Sequence, residues 1–364
     1  MSAPDRPSAP LAGLRVLELA TLYAAPQIGA MLGDLGADVV KVEAPGGDPM
    51  RRMGVMRDGV SRNWSWVGRN KRSVALDLDV DDDQTTFRHL ARVADVLIEN
   101  LTPALRARWH VGYDTLHELN ATLVVVSVSC YGLTGPYADR PGAGTLAEAF
   151  GGLTALTGEA DGPPMLSSVP LGDTLTAFWG VIGALAACWA QARHGAAGAL
   201  VDVAMYEPVL AVLGGTIAAY DPEDPPMRTG SRVRGGVPRN LYATRDGAYV
   251  AVSGTTDAQV ARLLRLLGRD TKADHDRFGE AASRLGHADE LDGLVGDWIG
   301  GRDLDATLAA LLDARIPVAP VNDVGALLDD EHLRARGSLT PMGATNAAPG
   351  LDADRFEVLT DWLG

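Results

Sequence analysis

The chain reads as an α/β fold, a large domain built on a parallel sheet followed by a smaller α+β domain. Three observations carry this. Strand and helix patterns alternate through the first half. Residues 14–43 have the strand–helix–strand length of a crossover unit, which makes the two strands parallel. The acidic, proline-rich stretch Asp221-Pro222-Glu223-Asp224-Pro225-Pro226 then separates this half from a region of different character. With 364 residues, 46% of them hydrophobic, the chain can bury a substantial core.

Residues 14–19 alternate and form the first strand. Ala24-Ala25-Pro26 opens a helix that runs to about Asp34, Gly36 ends it, and residues 37–43 form the second strand. The turn between, Ala20-Thr21-Leu22-Tyr23-Ala24-Ala25, has no G-x-G-x-x-G fingerprint, which argues against a plain nicotinamide enzyme. Further strands are expected at 73–78, 94–99 and 123–129, with helices over 82–93 and 114–120. Glycines and prolines between Gly132 and Gly144 punctuate the approach to a helix over 145–156. The loop 158–170 delivers Asp173 to the mouth of an almost uncharged helix, which its Gly- and Ala-rich composition marks as buried core rather than a membrane span. A short strand at 201–204 and a helix over 205–219 follow.

Beyond the proline-rich stretch, strands at 241–244 and 249–253 flank the hairpin turn Arg245-Asp246-Gly247-Ala248. Amphipathic helices are expected over 256–267, 288–299 and 303–314. The domain boundaries are therefore 1–205 for the large domain, 206–228 for a linker, 229–325 for the small domain, and 326–364 for a return to the large one. The polar residues 1–10 read as a loose tail without an apolar signal segment.

A net charge of −15 argues against nucleic acid or an anionic membrane as partner. The two cysteines, Cys130 and Cys188, make no disulfide framework and fit a reducing, cytoplasmic setting. The seven histidines are scattered without metal-ligand spacing, so no metal site is expected. Against the acidic background, Arg51, Arg52, Arg57, Arg62, Arg69, Lys71 and Arg72 crowd into one segment whose single acid is Asp58. Such a patch suits a polyphosphorylated small ligand, or else is a solvated loop with surface pairs. No serine lies in a G-x-S-x-G elbow and neither cysteine has a nucleophile's context, so covalent chemistry falls to a carboxylate. Asp173, in Pro170-Leu171-Gly172-Asp173-Thr174, sits where free N–H groups and the helix dipole hold it ionised. On this segment alone it is either a helix cap or a nucleophile.

Seven sequence blocks, taken together, carry a resemblance. They are Leu14-Arg15-Val16-Leu17-Glu18-Leu19-Ala20, Leu35-Gly36-Ala37-Asp38-Val39-Val40-Lys41-Val42-Glu43, Asn70-Lys71-Arg72-Ser73-Val74-Ala75-Leu76-Asp77-Leu78, and Ala94-Asp95-Val96-Leu97-Ile98-Glu99-Asn100. To these are added Tyr131-Gly132-Leu133-Thr134-Gly135-Pro136-Tyr137, Leu171-Gly172-Asp173 and Arg245-Asp246-Gly247-Ala248-Tyr249-Val250-Ala251-Val252. In this order they resemble the family III CoA-transferases, a superfamily that includes formyl-CoA transferase, carnitine CoA-transferase and α-methylacyl-CoA racemase.

The resemblance implies a Rossmann-like, CoA-binding large domain and two chains interlocked in a homodimer. It also implies CoA transfer between an acyl-CoA and a carboxylic acid through aspartyl anhydride and aspartyl-CoA thioester intermediates, with coenzyme A as substrate and no permanently bound cofactor. Asp173 matches the nucleophile. Tyr23 and Ala24 fall beside the thioester end, and Lys71, Asn100 and Arg108 match CoA-contacting positions, with Arg51, Arg52 and Arg72 in support. Backbone N–H groups of residues 172–174, and the loop at Gly235-Gly236, are candidate oxyanion donors. Ala143-Gly144 stands where relatives carry a polar pair. An acyl-CoA racemase, with Asp173 as one of two acid/base groups, and a non-catalytic CoA-binding protein are the rival readings.

Overall fold

The computed structural model describes residues 9–339 and 347–364; tail residues 1–8 and residues 340–346 of the C-terminal return lie outside the described residues. The chain divides into two compact units. The first holds the described residues up to Thr154, Leu166–Asp224 and those from Leu339 onward; the second holds Ala155–Met165 and Pro225–Ser338.

Six parallel strands form the sheet of the first unit: β1 (Arg15–Leu19), β2 (Asp38–Glu43), β3 (Lys71–Ala75), β4 (Val96–Glu99), β5 (Val124–Ser129) and β6 (Leu200–Ala204). Their spatial order is β3-β2-β1-β4-β5-β6. Leu17 of β1 pairs with Val40 on one side and Leu97 on the other, so one register runs through the centre of the sheet. Helices used below are α1 (Ala24–Asp34), α2 (Asp81–Val93), α3 (Pro103–Trp109), α4 (Gly144–Phe150), α5 (Leu171–His194) and α6 (Arg355–Leu363).

Alternation along the strands splits the core into two layers. Val16, Val39, Val96, Ile98, Val124 and Val126 pack with Ile28 and Leu32 of α1 and Ala177 and Ala184 of α5. Leu17, Val40, Val42, Leu97 and Val125 point the other way, onto Phe87 and Leu90 of α2 and Val358 and Trp362 of α6. Both faces are covered, which is why the strands read as nearly continuous apolar runs. The open edge of β3 is closed by the C-terminal segment: Ser73 N–H donates to Asp354 (2.8 Å) and Ala75 N–H to Asp352 (2.7 Å).

Between α1 and the sheet lies an ionic cluster with no solvent access. The Lys41 ammonium bonds Glu18 (2.9 Å), Asp48 (2.8 Å) and the Ala20 carbonyl (2.6 Å). Lys71 bonds the other Glu18 oxygen and the Pro26 carbonyl, both at 2.6 Å. Burial pushes the Lys71 ammonium down to about 8 against the pull of Glu18. Gly29 is required at the contact, because a Cβ there would overlap the Glu18 carboxylate.

The expectation that the helix after Asp173 is buried holds for one side only. Ala177, Gly180 and Ala184 are buried, and at Gly180 a Cβ would overlap Ile28. Phe178, Trp179, Ile182 and Trp189 face outward, Trp189 at 66% exposure. Composition shows that a helix is apolar but not which side has something to pack on. Residues 206–218, within the stretch read from sequence as a linker, form two short helices, Tyr206–Val212 and Gly214–Ala218.

The second unit is an antiparallel sheet with helices. Strands β7 (Arg239–Ala243) and β8 (Tyr249–Ser253) form the expected hairpin, and β9 (Val318–Pro320) pairs with the other edge of β8. Leu263, Leu291, Val295 and Leu311 bring three helices onto it, and Thr256 with Gln259 forms a capping box at the first of these. Residues 324–335 also belong to this unit, as two short helices.

Replacing Lys71 with Met leaves one Glu18 oxygen without its cation in a site water does not reach. Loss of one member of a buried charge cluster costs about 3–5 kcal/mol. Urea unfolding should show a loss of that order. If Lys71 is structural, CoA affinity measured on the folded variant in calorimetry stays within about twofold; a large loss of CoA affinity with unchanged stability would instead make Lys71 a ligand contact.

Candidate active site

In the sheet order of the first unit, α1 and α2 cover opposite faces, so the chain changes side between the neighbouring strands β1 and β4. Such a reversal leaves a crevice beyond the C-terminal ends of the two strands. The crevice is present as a cavity of about 440 Å³. After β1 it is lined by Thr21, Leu22, Tyr23 and Ala24, and after β4 by Asn100, Leu101 and Thr102. The Asn100 side chain ties the two loops together, accepting from Thr21 N–H (3.0 Å) and donating to its carbonyl (2.9 Å).

Asp173 completes the wall. It is the third residue of α5, and Pro170, at the cap position, has no side-chain hydrogen bond to give that helix. The Asp173 carboxylate takes the N–H of Asp173 itself, while the Gly172 N–H goes to Glu148. Burial, and then the nearby Glu148 carboxylate, push Asp173 up to about 6. Gly144 makes room for it, since a Cβ at 144 would overlap the Asp173 carboxylate. The Ala143-Gly144 pair, read from sequence as a missing polar partner, is thus the surface against which the carboxylate rests.

The backbone N–H groups expected to face an oxyanion are mostly engaged. Gly172 N–H donates to Glu148 Oε1 (2.9 Å) and Thr174 N–H to the Pro170 carbonyl (3.0 Å). Only that of Asp173 itself, turned toward its own carboxylate, is left of the three. Gly235 and Gly236 lie in the second unit.

Of the positions matched by resemblance, Asp173, Tyr23, Ala24 and Asn100 converge on the cavity. Lys71, Arg72 and Arg108 do not line it. Lys71 belongs to the buried cluster, Arg72 pairs with Asp38 (2.5 Å) and Asp361 (2.8 Å), and Arg108 is exposed and pairs with Asp79 (2.7 Å). The basic segment is largely matched from within: Arg51 pairs with Glu43 and Arg69 with Asp34, both at 2.6 Å. Arg52 donates to the Gly46 carbonyl (2.7 Å).

Three residues not singled out from sequence matter here. Arg106, on α3, lines the cavity and pairs with Glu99 (2.9 Å) while donating to Ser127 (3.1 Å). Arg140 lines it too, with its guanidinium stacked 3.5 Å over the Tyr137 ring. Glu148, buried on α4, holds the turn before Asp173. It is the one charge in Gly144-Thr145-Leu146-Ala147-Glu148-Ala149-Phe150, and a lone acid in so apolar a segment was the signal available.

Comparison with known proteins gives the family. Residues 11–356 match CoA-transferase family III. The chain is 34% identical to succinyl-CoA–D-citramalate CoA-transferase of Chloroflexus aurantiacus, over 99% of this chain and 96% of the relative. It is 37% identical to the beta subunit of succinyl-CoA–L-malate CoA-transferase of the same organism, over 92% and 84%. The crystal structure of a CAIB/BAIF family protein from Brucella suis superposes with a TM-score of 0.85 at 29% identity, covering 98% of this chain and all of the other. A six-stranded parallel sheet, an aspartate in the crevice at its switch point and a match along nearly the whole sequence lead to one conclusion: this chain belongs to CoA-transferase family III.

Proposed function

We propose that Asp173 is the nucleophile of CoA transfer and that the acids exchanged are short dicarboxylates of the succinate, malate and citramalate class. Transfer of CoA between an acyl-CoA and a carboxylic acid follows from the family. The observation that carries the assignment to Asp173 is a half-buried carboxylate on the wall of the switch-point cavity, raised by its burial.

The Asp173 oxygen attacks the thioester carbonyl, the C–S bond breaks, and CoA leaves as thiolate with a mixed anhydride behind it. The thiolate then attacks the aspartyl carbonyl and expels the donor carboxylate, leaving an aspartyl-CoA thioester. An acceptor carboxylate attacks that thioester and repeats the two steps in reverse order, restoring Asp173. Every nucleophile and leaving group is an anion, so no step needs a general acid or base.

In this reading Tyr23, Ala24 and Asn100 border the thioester, and the exposed Arg108 meets a CoA phosphate outside the cavity, whereas Arg72, held by Asp38 and Asp361, does not. The dicarboxylate class follows the names of the two relatives, and Arg140 supports it. Among the described residues its guanidinium has a ring for a neighbour and no carboxylate partner, so it can take the acid's distal carboxylate. A racemase would need a second acid/base group at the reacting carbon, and Ala143-Gly144 supplies none. The working form is a homodimer: the outward Phe178, Ile182 and Trp189 of α5 make an apolar face suited to a second copy. The cytoplasm is the compartment that suits two free cysteines.

Wild-type enzyme incubated with succinyl-CoA should carry a CoA adduct in intact-mass spectrometry, and Asp173→Asn should abolish both that adduct and transfer. The variant should also be more stable. The folded-state value of Asp173 lies above its ordinary one, so stability present at low pH is lost as pH rises through about 6. Asparagine does not ionise. Near neutral pH the variant gains about 1–3 kcal/mol in urea unfolding, and the gain vanishes below about pH 4. Retained turnover would place the nucleophile elsewhere.

Arg140→Ala should raise KM for succinate or malate at least about tenfold while leaving KM for a monocarboxylate such as butyrate unchanged, the loss expected for one charge-assisted contact. Equal effects on both acids would remove Arg140 from that role. Sedimentation at nanomolar concentration should still find a dimer; a concentration-dependent monomer would contradict interlocked chains.

A further inference from the structure

We propose that Glu148 is a positioning residue for the nucleophile: a buried carboxylate that fixes the first turn of α5 and sets a like charge against Asp173. The inference rests on Asp173 being the nucleophile. Its basis is geometric. Glu148 is 3% exposed, on α4, and both its oxygens are used. Oε1 accepts from Gly172 N–H at 2.9 Å, and Oε2 accepts from the Ser167 hydroxyl at 2.6 Å. The Ser167 hydroxyl also reaches the Val169 carbonyl (2.8 Å), so one carboxylate ties α4 to the approach to α5 and to the helix itself. The contact is tight: a Cβ at Gly172 would lie 3.1 Å from the Glu148 Cγ. Glu148 does not line the cavity, and with both oxygens engaged it is not a second acid/base group.

A like charge here acts on the catalytic cycle. The groups around Asp173 are Glu148 from α4, the Tyr23 hydroxyl from the loop after β1 and the Cys130 thiol at the end of β5. Both of the latter are neutral at physiological pH and are raised further by Asp173 itself. No cation offsets Glu148 among the groups acting on Asp173. When an Asp173 oxygen forms its bond to the acyl carbon and the C–S bond breaks, the negative charge leaves Asp173 for the CoA thiolate. In the anhydride and in the aspartyl-CoA thioester, residue 173 is neutral and the repulsion is gone. Glu148 therefore raises the free carboxylate relative to both covalent states, and makes that carboxylate the more basic attacking group.

The test is the pH profile of kcat/KM for CoA transfer from succinyl-CoA, together with the fraction of enzyme carrying CoA by intact mass. Glu148→Gln keeps an acceptor for Gly172 N–H and removes the charge. In wild type the acid limb should fall near pH 6. In Glu148→Gln it should move down by about one unit, and the CoA-bound fraction at a fixed succinyl-CoA to succinate ratio should drop several-fold. A merely structural residue would lower kcat without moving the limb, and an unmoved limb in folded Glu148→Gln overturns the proposal. Should that variant fail to fold, Ser167→Ala retains both carboxylates and loosens only the tie. Its limb should stay near 6 while kcat falls, and a limb dropping into the ordinary carboxylate range would overturn the proposal. Absence of any CoA adduct on wild-type Asp173 would sink the nucleophile assignment and this inference with it. An adduct with an unmoved limb would sink this inference alone.

Discussion

The active-site wall rests on four buried charges. Glu18, Lys41, Lys71 and Asp48 come from β1, β2, β3 and the loop after β2, and they meet beneath the start of α1. Each cation also takes a main-chain carbonyl, that of Ala20 in the first loop for Lys41 and that of Pro26 in the first turn of α1 for Lys71, while Asp48 accepts from Leu22 N–H at 3.3 Å. The segment that carries Tyr23 and Ala24 into the cavity is thereby held at both ends and in its middle. Asn100 extends the constraint across the switch point to the loop after β4. Leu22, at a φ of 71°, shows how bent the loop is; a non-glycine residue stays there only when its surroundings determine the backbone. A buried charge cluster adds little net stability over an apolar one. What it supplies is position, because its hydrogen bonds have direction and a hydrophobic contact does not.

The parallel sheet and its crossovers were legible in the sequence because a strand buried on both faces, broken by Gly and a charged helix, has few other readings. Asp173 was legible as a candidate but its role was not. Local sequence does not separate a cap from a nucleophile; what the structure adds is the place of Asp173, on the wall of the switch-point cavity. The basic segment was visible as charge, but its partners were not: Glu43 and Asp34 lie eight and 35 residues away from Arg51 and Arg69. Lys71 matched a ligand position while its charge serves the core. Gly144 misled in the opposite sense. Lack of a side chain reads in sequence as a lost function, whereas in space it is the room that the Asp173 carboxylate occupies.

Helix α5 serves two surfaces with one sequence. Its inward side is made of small residues, and Gly180, Gly183 and Ala184 let it lie close to Ile28 and Val201. Its outward side carries Phe178, Trp179, Ile182 and Trp189, residues whose exposure gives a lone chain no gain. Small residues toward the sheet and large aromatics away from it invert the usual amphipathic division, in which the outer face is polar. The homodimer proposed above accounts for the inversion. In that proposed dimer the helix bearing Asp173 would be gripped from both sides.

The proposed chemistry explains why the site can do without a proton-transferring partner beside Asp173. A hydrolase must move protons, and would require a base where Ala143 and Gly144 stand. Exchange of CoA between carboxylates moves none: carboxylate, thiolate and carboxylate succeed one another as nucleophile and leaving group. For the proposed cycle the requirement is instead that water stay out, since an anhydride and an aspartyl thioester both hydrolyse, and that the starting carboxylate be poorly solvated so that its neutral adducts are favoured. Burial of Asp173, a glycine at 144 with no side chain to hydrogen-bond it, and a second carboxylate at Glu148 all act in that direction. Each would be a fault in a site built to stabilise an anion at rest. In the proposed cycle, where the resting anion of Asp173 is the state to be left, each favours the reaction.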